Sequence, residues 1–310
     1  MKKFKVQGSR FKVQGSRSKA EGNLESAAPN YKSKAEERRP NIEASDGEPP
    51  KNVIYGVLPV LEALRAANRR IEKIVAADGA QEKRLAEILS LARQNGVPFQ
   101  KVARENLSRL VERGANHQGV VAFVAAADYY PTDKLLGEIY RKLEIGENVL
   151  LVILDGVEDP RNFGAILRSA ECAGADGVFI PERRAVGLTE TVAKSSAGAA
   201  EYVKVAKVTN LNRLIEELKE HNIWVIGTSG AAEKSYADWD WNVPCALILG
   251  GEGKGLHRLT AEKCDALVKI PMRGRIESLN VAVAAGVILF EADRQRVQSS
   301  KFKVKLEPNI

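Results

Sequence analysis

Residues 148–155 read NVLLVILD, with six consecutive aliphatic side chains from Val149 to Leu154 and an aspartate at the end. A strand with one face in water alternates apolar and polar residues. One that is apolar at every position is covered on both faces, as in the middle of a parallel sheet flanked by helices. Downstream the chain keeps alternating between short apolar runs and amphipathic stretches. The spacing predicts a helix over 163–173, strand GVFI (177–180), a polar helix near 189–197, strand YVKVAKV (202–208) and a helix over 210–221. Strands IWVIGTS (223–229), CALILG (245–250) and LVKI (267–270) follow, and then a long helix over residues 279 to about 297. This order predicts an α/β fold with a mostly parallel sheet and its ligands at the carboxyl edge of the strands.

The same alternation, on a smaller scale, runs upstream. VIYGVLPVLEALRAANRR (53–70) reads as a strand and a helix, and IEKIVAA (71–77) as a strand. QEKRLAEILSLARQNG (81–96) is an amphipathic helix closed by Gly96, and PFQKVA (98–103) a strand. ENLSRLVERG (105–114) predicts a helix and GVVAFVAA (119–126) a buried strand. Residues 52–127 thus form a small α/β domain, and 128–147 a linker, DYYPTD, with one helix. Residues 148–298 form the larger domain, and 299–310 a basic tail. The heptad FKVQGSR occurs twice in tandem (4–10 and 11–17) and runs into Ser-, Glu-, Lys- and Asn-rich sequence, so residues 1–51 are expected to be a disordered extension.

Composition narrows the classes of function. In 310 residues, 44% are hydrophobic and 28% charged, an ordinary balance for a packed core. The net charge of +7 sits at the ends. Residues 1–50 hold 11 Lys and Arg against 7 Asp and Glu, and Lys51 with the last ten residues supplies the rest. Basic ends of this kind suit a polyanionic partner. No run of about 18 apolar residues is present, and no apolar stretch follows the first lysines, which argues against a membrane span or a secretory signal. Cys172, Cys245 and Cys264 lie far apart, and His117, His221 and His257 do not pair at ligand spacing. A metal-free protein of the reducing cytoplasm is therefore expected.

Three segments of the larger domain carry more polar and glycine residues than a connection needs. DGVEDPRNFGAILRSAECAG (155–174) places Asn162 at the start of a helix, where it could cap, and Arg168 further along it. LILGGEGKGL (247–256) packs glycines after a strand so that backbone can approach a ligand closely. A phosphate-cradling loop needs Gly where Ile248 stands and Ser or Thr where Gly255 stands, and a dinucleotide fingerprint needs Gly at Leu256, so neither applies. VKIPMRGRIESLNVAVAAGVILFEADRQR (268–296) ends a strand at Pro271 and gathers Arg273, Arg275 and Glu277 before the last helix, with Ser278 placed to cap it.

In order, spacing and wording, NFGAILRSAECAG, LGGEGKGL and IPM-G-x-x-x-SLNVAVAAG resemble the three motifs of the SpoU or TrmH branch of the SPOUT methyltransferases. Residues 52–127, with NHQGVVAFV (116–124), are similar to the ribosomal-protein-like RNA-recognition domain of its RlmB-type subgroup. The resemblance covers roughly 52–297. It implies a C-terminal trefoil knot over 225–297, which general topology rules would not suggest. It implies S-adenosylmethionine as methyl donor, contacted by Gly250, Ile270 and Leu279, and a homodimer whose pocket is completed across subunits. It further implies 2′-O-methylation of a guanosine ribose in large-subunit (23S) rRNA. Arg168 would stabilise the 2′-oxyanion, Asn162 would orient the nucleotide or Arg168, and Glu252 and Asn280 would shape the pocket. Ser278 would be a cap or ligand contact, and Arg273 and Arg275 would bind RNA phosphates. A tRNA ribose methyltransferase and a catalytically idle RNA-binding assembly factor remain open alternatives.

Overall fold

The computed structural model describes residues 52–79, 82–125, 127–183 and 185–306. The extension expected over 1–51 and the last four residues of the expected tail lie outside them.

The first sheet is built from β1 (Val53–Tyr55), β2 (Ile71–Ala77), β3 (Phe99–Val102) and β4 (Val120–Val124), in the order β1-β4-β2-β3. β4 runs antiparallel to both its neighbours, and β2 pairs with β3 in parallel. Helices α1 (Val57–Ala66), α2 (Glu82–Gln94) and α3 (Arg104–Ser108) accompany it. Its core joins Val60, Leu61 and Leu64 of α1 and Leu85 and Ile88 of α2 to Ile74, Val120 and Ala122 of the sheet.

α4 (Thr132–Glu144) then leads to β5 (Leu150–Asp155), α5 (Pro160–Cys172), β6 (Gly177–Pro181), α6 (Glu190–Ser195) and β7 (Val205–Val208). After them come α7 (Leu211–Glu220), β8 (Trp224–Thr228), β9 (Lys234–Ser235) and β10 (Cys245–Gly250). α8 (Arg258–Lys263), β11 (Ala266–Lys269) and α9 (Val281–Leu306) complete the chain. The second sheet has the order β7-β6-β5-β10-β8-β11-β9, and every pairing in it is parallel.

β5 and β10 lie side by side at its centre, in register from Leu150 with Cys245 to Asp155 with Gly250, and every residue of both is buried. Alternation sorts their side chains between two faces. Leu150, Val152 and Leu154 meet Phe163, Ile166 and Leu167 of α5 and Ala285, Ile288 and Leu289 of α9. Leu151 and Ile153 meet Leu135 and Ile139 of α4 and Leu214, Ile215 and Leu218 of α7. The continuous apolar run of 149–154 is therefore what two helical layers require.

Several expectations need correction. The helix expected over 105–114 stops at Ser108, and the chain continues in tight turns (Leu110 N to Leu107 O, Ala115 N to Glu112 O) up to Gly114, whose φ is +83°. The last helix begins at Val281 and runs to Leu306, through most of the expected tail, because no Gly or Pro interrupts residues 287–307. The segment expected as a linker carries α4, as the sequence suggested, and is hydrogen-bonded to the second sheet. Tyr130 N donates to Val205 O at 2.8 Å and Thr132 Oγ1 to Lys207 O at 2.7 Å, so it covers the exposed edge of β7. α8 and β9, at six and two residues, were too short to leave a periodic pattern. No described helix is long and apolar enough to cross a membrane.

Candidate active site

The carboxyl ends of β8, β10 and β11 open into a cavity of about 630 Å³, a volume that suits a nucleoside-sized ligand. Its wall comes from three loops, 228–230, 249–256 and 268–280, and from the first turns of α9. Gly250, Ile270 and Leu279 all line it, as do Glu252, Ser278 and Asn280.

The glycine loop is shaped by contacts that leave no room for a side chain at Gly250 or Gly251. A Cβ on Gly250 would lie 2.1 Å from the Gly255 carbonyl carbon, and one on Gly251 would lie 2.1 Å from the Gly156 oxygen. Gly255 N donates back to Gly251 O at 3.1 Å, closing the loop on itself, and Gly253 and Gly255 hold φ of +78° and +65°. Backbone groups are thereby presented to the cavity. A wall of this kind fits a ligand held mainly through main-chain contacts, and the cavity accommodates a nucleoside donor such as S-adenosylmethionine.

At the mouth of the cavity the three polar segments are joined by side chains. Asn280 Oδ1 accepts from Ala282 N (2.9 Å) and Val283 N (3.3 Å), the amides that open α9. Its Nδ2 donates to Asn162 Oδ1 at 2.9 Å, and Asn162 Nδ2 donates to the Glu252 carboxylate. Asn280, not Ser278, therefore caps the last helix, because the helix starts two residues later than the sequence suggested. Asn162 does not cap α5 either. Asp159 accepts from Arg161 N (2.6 Å) and Asn162 N (3.1 Å), with Pro160 in the first helical position. That leaves the side chain of Asn162 free to reach across.

Arg168 lies on an exposed face of α5, one turn before Cys172, and does not line the cavity. Burial and the neighbouring Glu171 push the Cys172 thiol up, against the opposing charge of Arg168. Arg273 and Arg275 are exposed in the loop before α9, between the lining residues Met272 and Glu277, and do not themselves line the cavity.

Two features escaped the sequence reading. Asp155 is 4% exposed and holds His257 twice, through its backbone N (2.9 Å) and its ring Nδ1 (2.7 Å), which anchors the far end of the glycine loop to β5. The TSG turn at 228–230 supplies the third wall, with Thr228 Oγ1 bonded to Ile248 O at 3.1 Å. A polar residue ending an apolar strand was the available signal in both cases. Among the described residues no group of three His, Cys, Asp or Glu side chains is placed to hold a metal ion.

The profile of the SpoU rRNA Methylase family matches residues 149–290, and that of the RNA 2′-O ribose methyltransferase substrate-binding region matches residues 53–130. The chain is 44% identical over 243 residues to the TrmH family tRNA/rRNA methyltransferase YacO of Bacillus subtilis, covering 78% of this chain and 95% of that protein. It is also 44% identical over 243 residues to the 23S rRNA (guanosine-2′-O-)-methyltransferase RlmB of Pseudomonas putida, covering 78% and 96%. Among solved structures, the SpoU methyltransferase AviRb from Streptomyces viridochromogenes in complex with AdoMet superposes with a TM-score of 0.64 at 27% identity, over 80% of this chain and 91% of that one.

Proposed function

The chain belongs to the SpoU/TrmH family of RNA methyltransferases, and we propose that it transfers the methyl group of S-adenosylmethionine to the 2′-oxygen of a guanosine ribose in 23S rRNA. The observation that carries this reading is the Asn280–Asn162–Glu252 chain, which gathers all three motif segments at the mouth of the cavity. The guanosine and the large-subunit RNA are favoured by the likeness to RlmB over nearly its whole length, including the substrate-binding region.

Gly250, Ile270 and Leu279 hold the donor, whose sulfonium supplies an electrophilic methyl when bound. Everything else falls to this chain's own side chains. A ribose hydroxyl is weakly acidic, so the site must orient it and favour negative charge on its oxygen. Asn162, fixed between Asn280 and Glu252, orients the nucleotide. Arg168 stabilises the oxyanion and engages phosphate. A guanidinium is a poor general base, so the proton leaves to water or a phosphate oxygen. Ser278 contacts a ligand at the cavity wall, and Arg273 and Arg275 take RNA phosphates.

Arg168 lies outside the cavity of its own chain, which supports a homodimer in which each subunit lends Arg168 to its partner. The apolar side chains of Val283 (52% exposed) and Phe290 (49%) stand seven residues apart on α9, and Ile276 (75%) precedes them, a surface suited to a second copy. We read 225–297 as a trefoil knot, which is supported by the three successive strand–loop units that wrap one cavity. Three free cysteines suit the cytoplasm.

The test is transfer of labelled methyl to rRNA from a methylase-deficient strain, wild type beside Arg168→Ala, with the product mapped by mass spectrometry. Label on one guanosine 2′-oxygen, lost in the variant, is the expected result. Label on tRNA alone would move the substrate, and binding of the donor without transfer to either RNA would favour an assembly factor.

A further inference from the structure

The segment 189–203, between β6 and β7, is held from both sides. On one side it meets α5: a Cβ on Gly164 would lie 1.9 Å from Ser195 Oγ, and that hydroxyl donates to Pro160 O at 3.2 Å. α6 is thus pressed against the turn that carries Asn162. On the other side it meets the first sheet. Ala193 is counted within that sheet's own core. Lys194 donates to Asn116 O at 3.2 Å with its ammonium 4.3 Å from the centre of the Tyr55 ring. Val53 N donates to Glu190 at 3.3 Å, and Tyr202 OH to Glu62 at 2.6 Å.

The centre of this contact is a buried ion pair. Arg69, from the turn after α1, reaches Glu201, and the two side chains are only 12% and 6% exposed. The neighbouring Asn68 side chain donates to the Glu201 backbone oxygen. Close by, Gly198 turns at φ +93°, and a Cβ there would lie 2.5 Å from Glu62 Cβ, so this turn has no room for a side chain against α1. Parts of a chain that meet through small, polar interfaces ordinarily move relative to each other. A buried ion pair adds little net stability, because desolvation offsets its attraction, but it tolerates one geometry and penalises others. Here it joins the sheet matched by the substrate-binding profile to the segment that backs the catalytic helix.

We infer that Arg69 and Glu201 are positioning residues that lock the first sheet in one orientation, and that this orientation selects which ribose of a bound RNA reaches the cavity. The inference rests on the RNA methyltransferase reading above. An RNA held by the first sheet presents to the cavity only the nucleotide at the distance the lock sets, so a loosened lock leaves the methyl-transfer site intact and blurs the choice of target.

The test uses the full chain with Arg69→Glu, Glu201→Arg and the variant carrying both. Donor binding is read by calorimetry, folding by thermal unfolding, and every methylated ribose in rRNA by mass spectrometry. Each single variant is expected to bind donor as wild type does, to lose about tenfold in kcat/KM through KM, and to mark additional riboses. Exchanging both charges should restore the single target. Folded single variants that keep the wild-type site pattern would overturn the inference, as would a lower unfolding temperature with no added sites. If the single variants fail to fold, Arg69→Met with Glu201→Met fills the space without charge. This variant must fold and lose site selection, and retained selection overturns the inference. If wild type methylates no RNA at all, the enzymatic reading has failed and small-angle scattering decides the lock separately. One fixed orientation in wild type and a spread in the single variants supports it, and identical profiles overturn it.

Discussion

Asn280 and Asn162 meet side chain to side chain at 2.9 Å, across 118 residues of sequence, and the direction of that bond is dictated by the last helix. The opening amides of α9 need an acceptor, so the Asn280 oxygen must face them. Its NH₂ is then turned outward, which requires the oxygen of Asn162, and the NH₂ of Asn162 in turn requires an acceptor. Glu252 is the acceptor. Helix dipole, two amides and one carboxylate form a single polarised line in which no member can be flipped without leaving two donors or two acceptors face to face.

Asn280→Asp separates the two duties of that residue. Aspartate caps a helix as well as asparagine does and suits the helix dipole, so stability should stay within about 0.5 kcal/mol of wild type. It cannot donate to Asn162, and its charge adds to that of Glu252, so kcat/KM should fall on the order of a hundredfold. Asn280→Ala should lose comparable activity and about 1 kcal/mol of stability as well. Urea unfolding and initial rates measured on the same preparations check both.

The glycine loop offers a paired comparison. At Gly250 a methyl group would collide with backbone at 2.1 Å, so Gly250→Ala must displace the cavity wall, and on the proposed reading affinity for S-adenosylmethionine should fall by about tenfold or more. At Gly253 nothing lies within 4 Å, and the only cost is a positive φ of +78°, about 1 kcal/mol. Gly253→Ala should therefore bind donor with nearly wild-type affinity. Calorimetry on the two variants distinguishes a packing requirement from a conformational one.

How much of this was legible beforehand follows from the range of the interactions involved. The apolar run at 149–154 specified a central strand because two covered faces leave no polar position, and the three motifs marked Asn162, Glu252 and Asn280. What failed was local: Asp159 and Asn280 cap their helices, where Asn162 and Ser278 had been expected to. Several polar residues precede each helix, and only the backbone path decides which one faces the amides. The Asp155–His257 tie and the seat of the first sheet on 189–203 join residues 102 and from 78 to 140 apart with no periodic signature. No spacing rule reaches that far.

His117 gives a pH prediction with a definite sign. Its Nδ1 accepts from Gly119 N at 3.1 Å, so the ring proton sits on Nε2, which faces Ser108 Oγ at 3.1 Å. Burial, then the charges of Arg104 and Lys194, hold its pKa below the ordinary imidazole range. The unfolded chain therefore takes up a proton near pH 6.5 that the folded chain still refuses. Stability from this residue is fully present above that pH and is lost as pH falls through it toward the folded value. Urea midpoints measured from pH 8 to pH 5 should decline for wild type and decline less for His117→Gln.

Subunit complementation tests where Arg168 acts. Asn162 is bonded to Glu252 and Asn280 of its own chain, so it serves its own cavity, whereas Arg168 stands outside that cavity. Mix inactive Arg168→Ala with inactive Asn162→Ala and allow the subunits to exchange. If Arg168 serves the partner, each mixed dimer has one site with an intact cavity and an intact arginine, and one site lacking both. Random pairing makes half the dimers mixed, so activity should recover to about a quarter of wild type. If Arg168 serves its own chain, each site in a mixed dimer lacks one group and activity stays at the level of the separate variants. Adding Phe290→Asp to both chains should abolish recovery, because a charge on that 49% exposed ring position opposes burial against a second copy. Sedimentation of Phe290→Asp alone should then report a monomer, and recovery that persists in a monomer would contradict a shared site.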